Sequence, residues 1–402
     1  MKKKFLILLV IFFIQGIATN MHHPLMPKYV AHLELPTFMI GLFFALMNFG
    51  TMMGGPFWGN LGDRGKKKTV VILGFIIYGL GQVLFGLGYV FNEYFLGVFR
   101  FASGFGIAAA TTIIMSEIVL VSPAEKKSRN IAYGVAILAL GGSLGYYLGG
   151  QFYTKQIFFN IFKTDFANTL FIQALINFSL AALFYFIYDP VKVEPVENGK
   201  RTYFWEGFKE VRNIPKSLLF FLISLSVITI AATNVDKYLE IYFNDLGFNP
   251  DVIGNFKMIV GIVSIIVTLV IVPFIMKLKK RILVISILQV LSAVIVFVVF
   301  NLGTNHFIVM IYTVYMLYII IKAIFGPLEQ DYVADFSNDA NISTTMGIRQ
   351  SFYSIGTIIG PVLGGILYGI SHSVLFNFSA IMFLVSLIFL YITQKLRKKE
   401  KL

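Results

Sequence analysis

Apolar runs follow one another along the whole of this chain, separated by short polar breaks. Their approximate spans are 5–22, 38–61, 69–90, 94–121, 130–153, 168–188, 217–242, 253–276, 282–301, 305–332, 344–370 and 373–394. A run of about 20 residues crosses the roughly 30 Å hydrocarbon core as an α-helix. In lipid the backbone must satisfy its own hydrogen bonds, which a helix does internally. The pattern predicts an all-α membrane protein with 12 transmembrane helices.

The longest polar break, DPVKVEPVENGKRTYFWEGFKEVRNIPK, falls after the sixth run and divides the spans six and six. It sets three expected parts: 1–188 as a first six-helix bundle, 189–216 as a cytoplasmic linker and 217–402 as a second six-helix bundle. Within the linker, Tyr203, Phe204, Phe208 and Val211 stand near helical spacing among charges. That suits either a short helix lying on the inner leaflet or a plain solvated connection.

The two halves repeat each other. ATN at 18–20 returns at 232–234, 214 residues on; Pro56-Phe57 with Leu61 returns as Pro273-Phe274 with Leu278, 217 on; GGSLGYYLGG at 141–150 returns as GTIIGPVLGG at 356–365, 215 on. Each match pairs a span with the one six later, so the halves are expected to be pseudo-symmetric bundles.

Composition agrees with a membrane protein: 57% of the 402 residues are hydrophobic and 13% charged, against about 25% charged in a soluble domain. With no cysteine, disulfides, thiolate metal sites and cysteine nucleophiles are excluded. The start, MKKKFLILLVIFFIQGIATN, has the basic head and apolar run of a signal peptide but no small-x-small cleavage site, so it reads as an uncleaved first span. In a soluble protein the net charge of +13 would suggest nucleic acid, yet here the bases occupy alternate loops. They gather at Lys2 to Lys4, at Arg64 and Lys66 to Lys68, at Lys126, Lys127 and Arg129, at Lys192 to Lys216, at Lys277 to Arg281, and in the tail KLRKKEKL. Bases mark the cytoplasmic side, which puts both termini in the cytoplasm of a multi-pass plasma-membrane protein and leaves no call for nucleic acid.

Some polar stretches carry more than topology. In PFWGNLGDRGKKK, residues 56–68, Gly59 and Gly62 remove side chains where helices meet or slide, and Asp63 at a span end can form a breakable contact. Read blandly, the loop is only basic and inside. In RFASGFGIAAA, Arg100 is an intramembrane base that should face the bundle interior, unless it reaches back to the outer interface.

These stretches resemble the major facilitator superfamily, and the resemblance covers essentially the whole chain. The loop pattern G-x-L-A-D-R-x-G-R-K is followed by Gly59, Leu61, Gly62, Asp63, Arg64, Gly65, Lys66 and Lys67, with Gly62 for Ala and one spacer missing. The resemblance implies the major facilitator fold and transport by alternating access. It also implies that Asp63 latches the first bundle to span eleven in the outward-open state, and that Arg64 pairs with an acid near the end of span four, Glu117 or else Glu125. The counterpart MKLKKR lacks both glycines and the acid, so the latch is expected in one half only. Gly141, Gly145, Gly149 and Gly150 resemble the antiporter signature G-x-x-x-G-P-x-x-G-G with Tyr146 for the proline; Gly356, Gly360, Pro361, Gly364 and Gly365 complete it in span eleven. In this family that signature goes with exporters, though tight helix packing explains it equally. PLMP at 24–27 is another pattern of drug-exporting members.

Ionisable residues inside spans are the candidates for coupling. Asp236 and Glu240 share a helix face in span seven, beside Lys237, and two carboxylates in low dielectric suit a proton carrier. The repeat sets His22 and His23 against Asp236 and Lys237; a hydrated outer vestibule is the other reading of all four. In span ten Lys322 and Glu329 are seven apart on one face, paired with each other or with a cavity carboxylate. Gln15, Asn20 and Asn234 are candidate cavity hydrogen-bonders or helix-packing groups, and Tyr146, Tyr147, Phe352 and Tyr353 candidate pocket aromatics.

The expected function is proton-coupled export of lipophilic or amphiphilic compounds, the partners being a small-molecule substrate, protons and the bilayer, and the expected state a monomer. The alternative is a carrier or flippase for a polar metabolite or glycolipid. Beyond transport stand an inactive receptor and a membrane enzyme, although no catalytic constellation, metal cluster or P-loop is evident, so no cofactor or metal is expected.

Overall fold

In a computed structural model the structure describes residues 2–123, 126–155, 166–191, 214–278, 280–302, 306–336 and 342–400, without the side chains of Lys2, Asn60, Asp63, 127–129, 342–344, 346 and 347. Glu125 and most of the expected linker, including Tyr203 to Val211, lie outside these residues.

Among the described residues every regular element is helical, and 12 helices are long and apolar enough to span a membrane. We number them α1 (Lys3–His32), α2 (Phe38–Gly59), α3 (Arg64–Gly86), α4 (Glu93–Leu120), α5 (Asn130–Thr154), α6 (Asn168–Ile187), α7 (Lys216–Asp245), α8 (Pro250–Val270), α9 (Arg281–Leu302), α10 (Phe307–Ala334), α11 (Ile348–Ile370) and α12 (His372–Glu400). The expected set of spans is present. α1 outruns its apolar stretch because the chain continues through a short 3-10 turn, His23–Leu25, into Met26–His32. α2 turns into α3 at Gly65, whose φ of +82° is a conformation that glycine takes without steric cost.

Contacts divide the chain into two units, Met1–Arg201 with Phe243–Gly261, and Thr202–Tyr242 with Ile262–Leu402. The first half of α8 goes with the first unit because its backbone lies against α5. A Cβ on Gly150 would meet the Asp251 Cα at 2.8 Å, and one on Gly254 the Tyr147 Cα at 3.1 Å.

In the first unit α4 packs against α2 and α3, α5 against α1, and α6 against α3. Phe12, Phe75, Tyr78, Ile107, Ile114 and Phe184, all buried, form its core. In the second unit α9 packs against α10 and α12, and α11 against α10 and α12. The outer side of α9 is bare: Leu283, Ile287, Val290, Leu291 and Val294 are all exposed. Their spacing of i, i+4, i+7, i+8 and i+11 is one helical stripe, the surface that hydrocarbon covers in a bilayer.

Candidate functional site

Among the described residues Glu117 is the most enclosed acid of the first unit. Near the end of α4 it is fully buried and accepts three hydrogen bonds: from Lys67 Nζ at 2.9 Å, the Tyr188 hydroxyl at 2.8 Å and the Val191 backbone N–H at 2.8 Å. Lys67 is itself 7% exposed. Three charge-directed donors offset the cost of burying a carboxylate, which an isolated acid could not bear. Burial, and then the Glu117 carboxylate, push the Tyr188 phenol above its ordinary range; this residue lies just past α6.

This arrangement corrects the expected Arg64–Glu117 pair. Lys67, three residues on, fills that role while the Arg64 side chain is exposed. The chain reverses at Gly65, so the residue that starts the inward face of α3 is Lys67. The Asp63 side chain lies outside the described residues. Gly62 is crowded, since a Cβ there would meet Ile113 Cδ1, the movable end of that side chain. Gly59 is not: its nearest neighbour would be Thr112 Cγ2 at 3.7 Å, ordinary contact.

A related cluster lies in the second unit where α9 begins and α10 and α12 end. Arg281, at the start of α9, reaches Asp331 at 2.7 Å and Asp335 at 2.6 Å, and Arg397 of α12 reaches Asp335 at 3.2 Å. Residues 67 and 281 are 214 apart, and so are 117 and 331. A base–acid clasp is therefore present in both halves, whereas the glycines and Asp63 expected to form the latch have no counterpart in the second. Beside it Glu329, 1% exposed, pairs with Arg349 of α11, whose guanidinium also lies 5.2 Å from the centre of the Tyr353 ring.

Deeper in this unit Lys322 of α10 pairs with Asp236 of α7; the two side chains are 44% and 25% exposed. Mutual pairing of Lys322 with Glu329 does not occur, because each is engaged by another helix. Glu240, one turn beyond Asp236, is buried. Asn234 is fully buried beside Gly364 and Tyr238, and its carboxamide finds no hydrogen-bond partner among the described residues.

In the first unit Arg100 is buried in the bundle interior, its guanidinium 4.8 Å from the centre of the Phe85 ring. It does not reach the interface. Near it, His22 Nδ1 lies 2.8 Å from Thr169 Oγ1 and its ring meets Tyr29 edge-on at 5.3 Å. Asn20 donates to the Gly16 carbonyl at 3.0 Å, satisfying its own helix.

The signature glycines act by contact. Gly141, Gly145 and Gly149 line the face of α5 on α1, where a Cβ would overlap backbone at Phe13, Ile17 and Met21 in turn. Gly356, Gly360 and Gly364 face α7 from α11, where a Cβ would meet the Thr229 Cβ at 2.5 Å, the Ile230 carbonyl oxygen at 3.1 Å and the Tyr238 ring in turn. Gly365 is buried, and the Pro361 carbonyl accepts from the Tyr238 hydroxyl at 2.6 Å.

A family model described as Major Facilitator Superfamily matches residues 8–321 and, again, 219–402. The chain belongs to the major facilitator superfamily. Among its relatives is Multidrug resistance protein 2 of Bacillus subtilis, 23% identical over 397 residues that cover 96% of this chain and 94% of that protein. Quinolone resistance protein NorA of Staphylococcus aureus is 28% identical over 150 residues, 37% of this chain and 38% of that one. The crystal structure of nucleoside transporter NupG superposes with a TM-score of 0.75 at 13% identity, covering 98% of this chain and 99% of the other, a likeness of fold. This is a multi-pass membrane transporter of the superfamily, with its all-helical, twelve-span fold.

The sequence motifs missed several members of these clusters. Lys67, Arg281 and Arg397 looked like topology markers, Tyr188 a span end, and Arg349 carried no motif. The repeat offset was the available signal, since adding 214 to Lys67 and Glu117 gives Arg281 and Asp331. Among the described residues no group of three or more His, Asp or Glu could hold a metal ion.

Proposed function

We propose that this superfamily transporter is a proton-coupled secondary exporter of lipophilic or amphiphilic compounds, working by alternating access from the cytoplasm across the plasma membrane. The observation that carries the reading is the Asp236–Lys322 pair, two opposite charges on neighbouring spans of one unit that both keep exposed surface. Asp236 sits about 14 Å along α7 from its Asp245 end, at 1.5 Å per residue.

A proton on Asp236 neutralises the acid and leaves the Lys322 ammonium unpaired inside a span, a state costing a few kcal/mol in apolar surroundings. Relief comes when the ammonium gains water or another acid, so protonation is linked to conformation. A cationic amphiphile competes with the proton for the same carboxylate. Competition for one acid is the elementary requirement of exchange: the site releases one cation as it takes the other. The similarity to Multidrug resistance protein 2 along nearly the whole chain favours that substrate class, and the basic alternate loops favour cytoplasmic termini. Gly62, Asp63 and Arg64 remain the proposed moving catch beside the fixed Lys67–Glu117 clasp. A carrier or flippase for a polar metabolite or glycolipid is the second reading, favoured by the exposure of Lys322, an ammonium suited to an anionic head.

Purified protein in proteoliposomes should accumulate a lipophilic cation against its gradient when a pH gradient is imposed, and an uncoupler should abolish this. Asp236→Asn should retain downhill counterflow yet lose the pH dependence. Accumulation that ignores the uncoupler, or an unchanged pH profile in Asp236→Asn, refutes the assignment.

A further inference from the structure

On the basic face of the second unit, a cavity of about 610 Å³ lies between the start of α9 and the ends of α10 and α12. Lys280, Arg281, Arg397 and Lys398 line it, against one lining acid, Asp335. Two of these bases are fixed in place. Arg281 is held by Asp331 and Asp335. Arg397 contacts Asp335 at 3.2 Å, with its guanidinium 4.6 Å from the ring centres of both Tyr332 and Phe336. A guanidinium held this way is pre-organised, so it loses little freedom in binding a further acceptor. The two lysines form no ion pair among the described residues.

The excess of bases over acids exceeds what a structural ion cluster needs. Ion pairs tying three helix ends together would balance their charges, since self-repulsion costs stability. Beside the cavity, Leu283 begins the exposed apolar stripe that continues along α9 through Ile287, Val290, Leu291 and Val294. Positive charge at the membrane face and apolar surface running into the bilayer meet at one place. The volume lies within the ~300–1,000 Å³ of small-ligand pockets.

We propose that this cavity binds the phosphate headgroup of an anionic phospholipid from the adjoining leaflet, with an acyl chain lying along the α9 stripe. The phosphodiester takes the N–H edges of Arg281 and Arg397, with Lys280 and Lys398 closing over it. Occupancy offsets one charge of the surplus and ties α9, α10 and α12 together. The site is separate from the Asp236–Lys322 pair and does not depend on the transport reading.

The test uses the delipidated full chain in detergent, titrated with phosphatidylglycerol, with phosphatidylcholine of the same chain length and with soluble glycerol phosphate. Native mass spectrometry reads binding and the melting temperature reads stabilisation. Phosphatidylglycerol should bind tightest and raise the melting temperature. Lys280→Gln with Lys398→Gln should weaken that binding about thirtyfold, taking ~1 kcal/mol per base. Lys280→Arg with Lys398→Arg should preserve it, and removal of two exposed bases of the first unit by Lys3→Gln with Lys126→Gln should change it less than twofold. Equal binding of phosphatidylcholine, equal binding of glycerol phosphate, or a Lys280/Lys398 glutamine variant within threefold of the parent overturns the proposal.

Discussion

The Glu117 cluster permits a quantitative perturbation. Glu117→Gln keeps the size of the side chain and an oxygen able to accept from Tyr188 and Val191, but removes the charge that faces Lys67. Since Lys67 is 7% exposed and Glu117 fully buried, water does little to replace the lost partner. Breaking a buried pair costs about 3–5 kcal/mol, mostly for stranding the surviving charge. With about 2–4 °C per kcal/mol for a unit of 150–250 residues, the melting temperature should fall by roughly 10 °C. Lys67→Met strands the acid instead and should cost as much. The double variant Lys67→Met, Glu117→Gln strands neither charge and should lose at least ~2 kcal/mol less than the two single losses combined. Arg64→Gln, on an exposed side chain, should stay within about 0.5 kcal/mol of the parent. Thermal unfolding of the detergent-purified protein, read by intrinsic fluorescence, measures all four. If Glu117→Gln melts within 2 °C of the parent, or if Arg64→Gln is as damaging as Lys67→Met, the reasoning about this cluster fails.

Two further predictions concern glycines. Gly149→Ala puts a methyl group onto the Met21 backbone, which cannot rotate away, and should cost ~2 kcal/mol or more, whereas Gly59→Ala, with 3.7 Å to its nearest neighbour, should be nearly neutral; the yield and melting point of monodisperse protein in size-exclusion chromatography distinguish them. Gly65→Ala meets open space but must adopt a φ of +82°, so it should destabilise by about 1–2 kcal/mol through backbone strain alone, with Gly65→Asn milder in the same melts.

Features that repeat were readable in the sequence. Apolar runs gave the spans because hydrocarbon allows only helices long enough to cross it. The offset of 214 to 217 located the glycine faces of α5 and α11 together, and small residues at four-residue spacing have few other physical explanations in a span. Ion pairing was harder. The choice between Arg64 and Lys67 rests on how the chain reverses at Gly65, and a local turn is invisible to periodicity. Arg349 sits where span ends and loops look alike, so its hold on Glu329 is fixed only by the packing of α10 on α11. Lys322 lay between two acids, and its own helix offered the nearer in sequence; the structure pairs it across to α7.

The donors on Glu117 also impose an order of events on biosynthesis. One comes from before it in the chain, Lys67, and two from well after, Tyr188 and Val191. A ribosome adding about 5–20 residues per second needs about 4–15 s to cover the 74 residues from Glu117 to Val191. Throughout that interval the newly inserted carboxylate has a lysine as its only companion from this cluster. Arrival of the sixth span and the residues just past it completes the set of donors on Glu117. A nascent chain stalled short of residue 188 would thus carry a half-shielded acid inside the membrane, a chemical mark by which a quality-control protease could tell an unfinished bundle from a finished one.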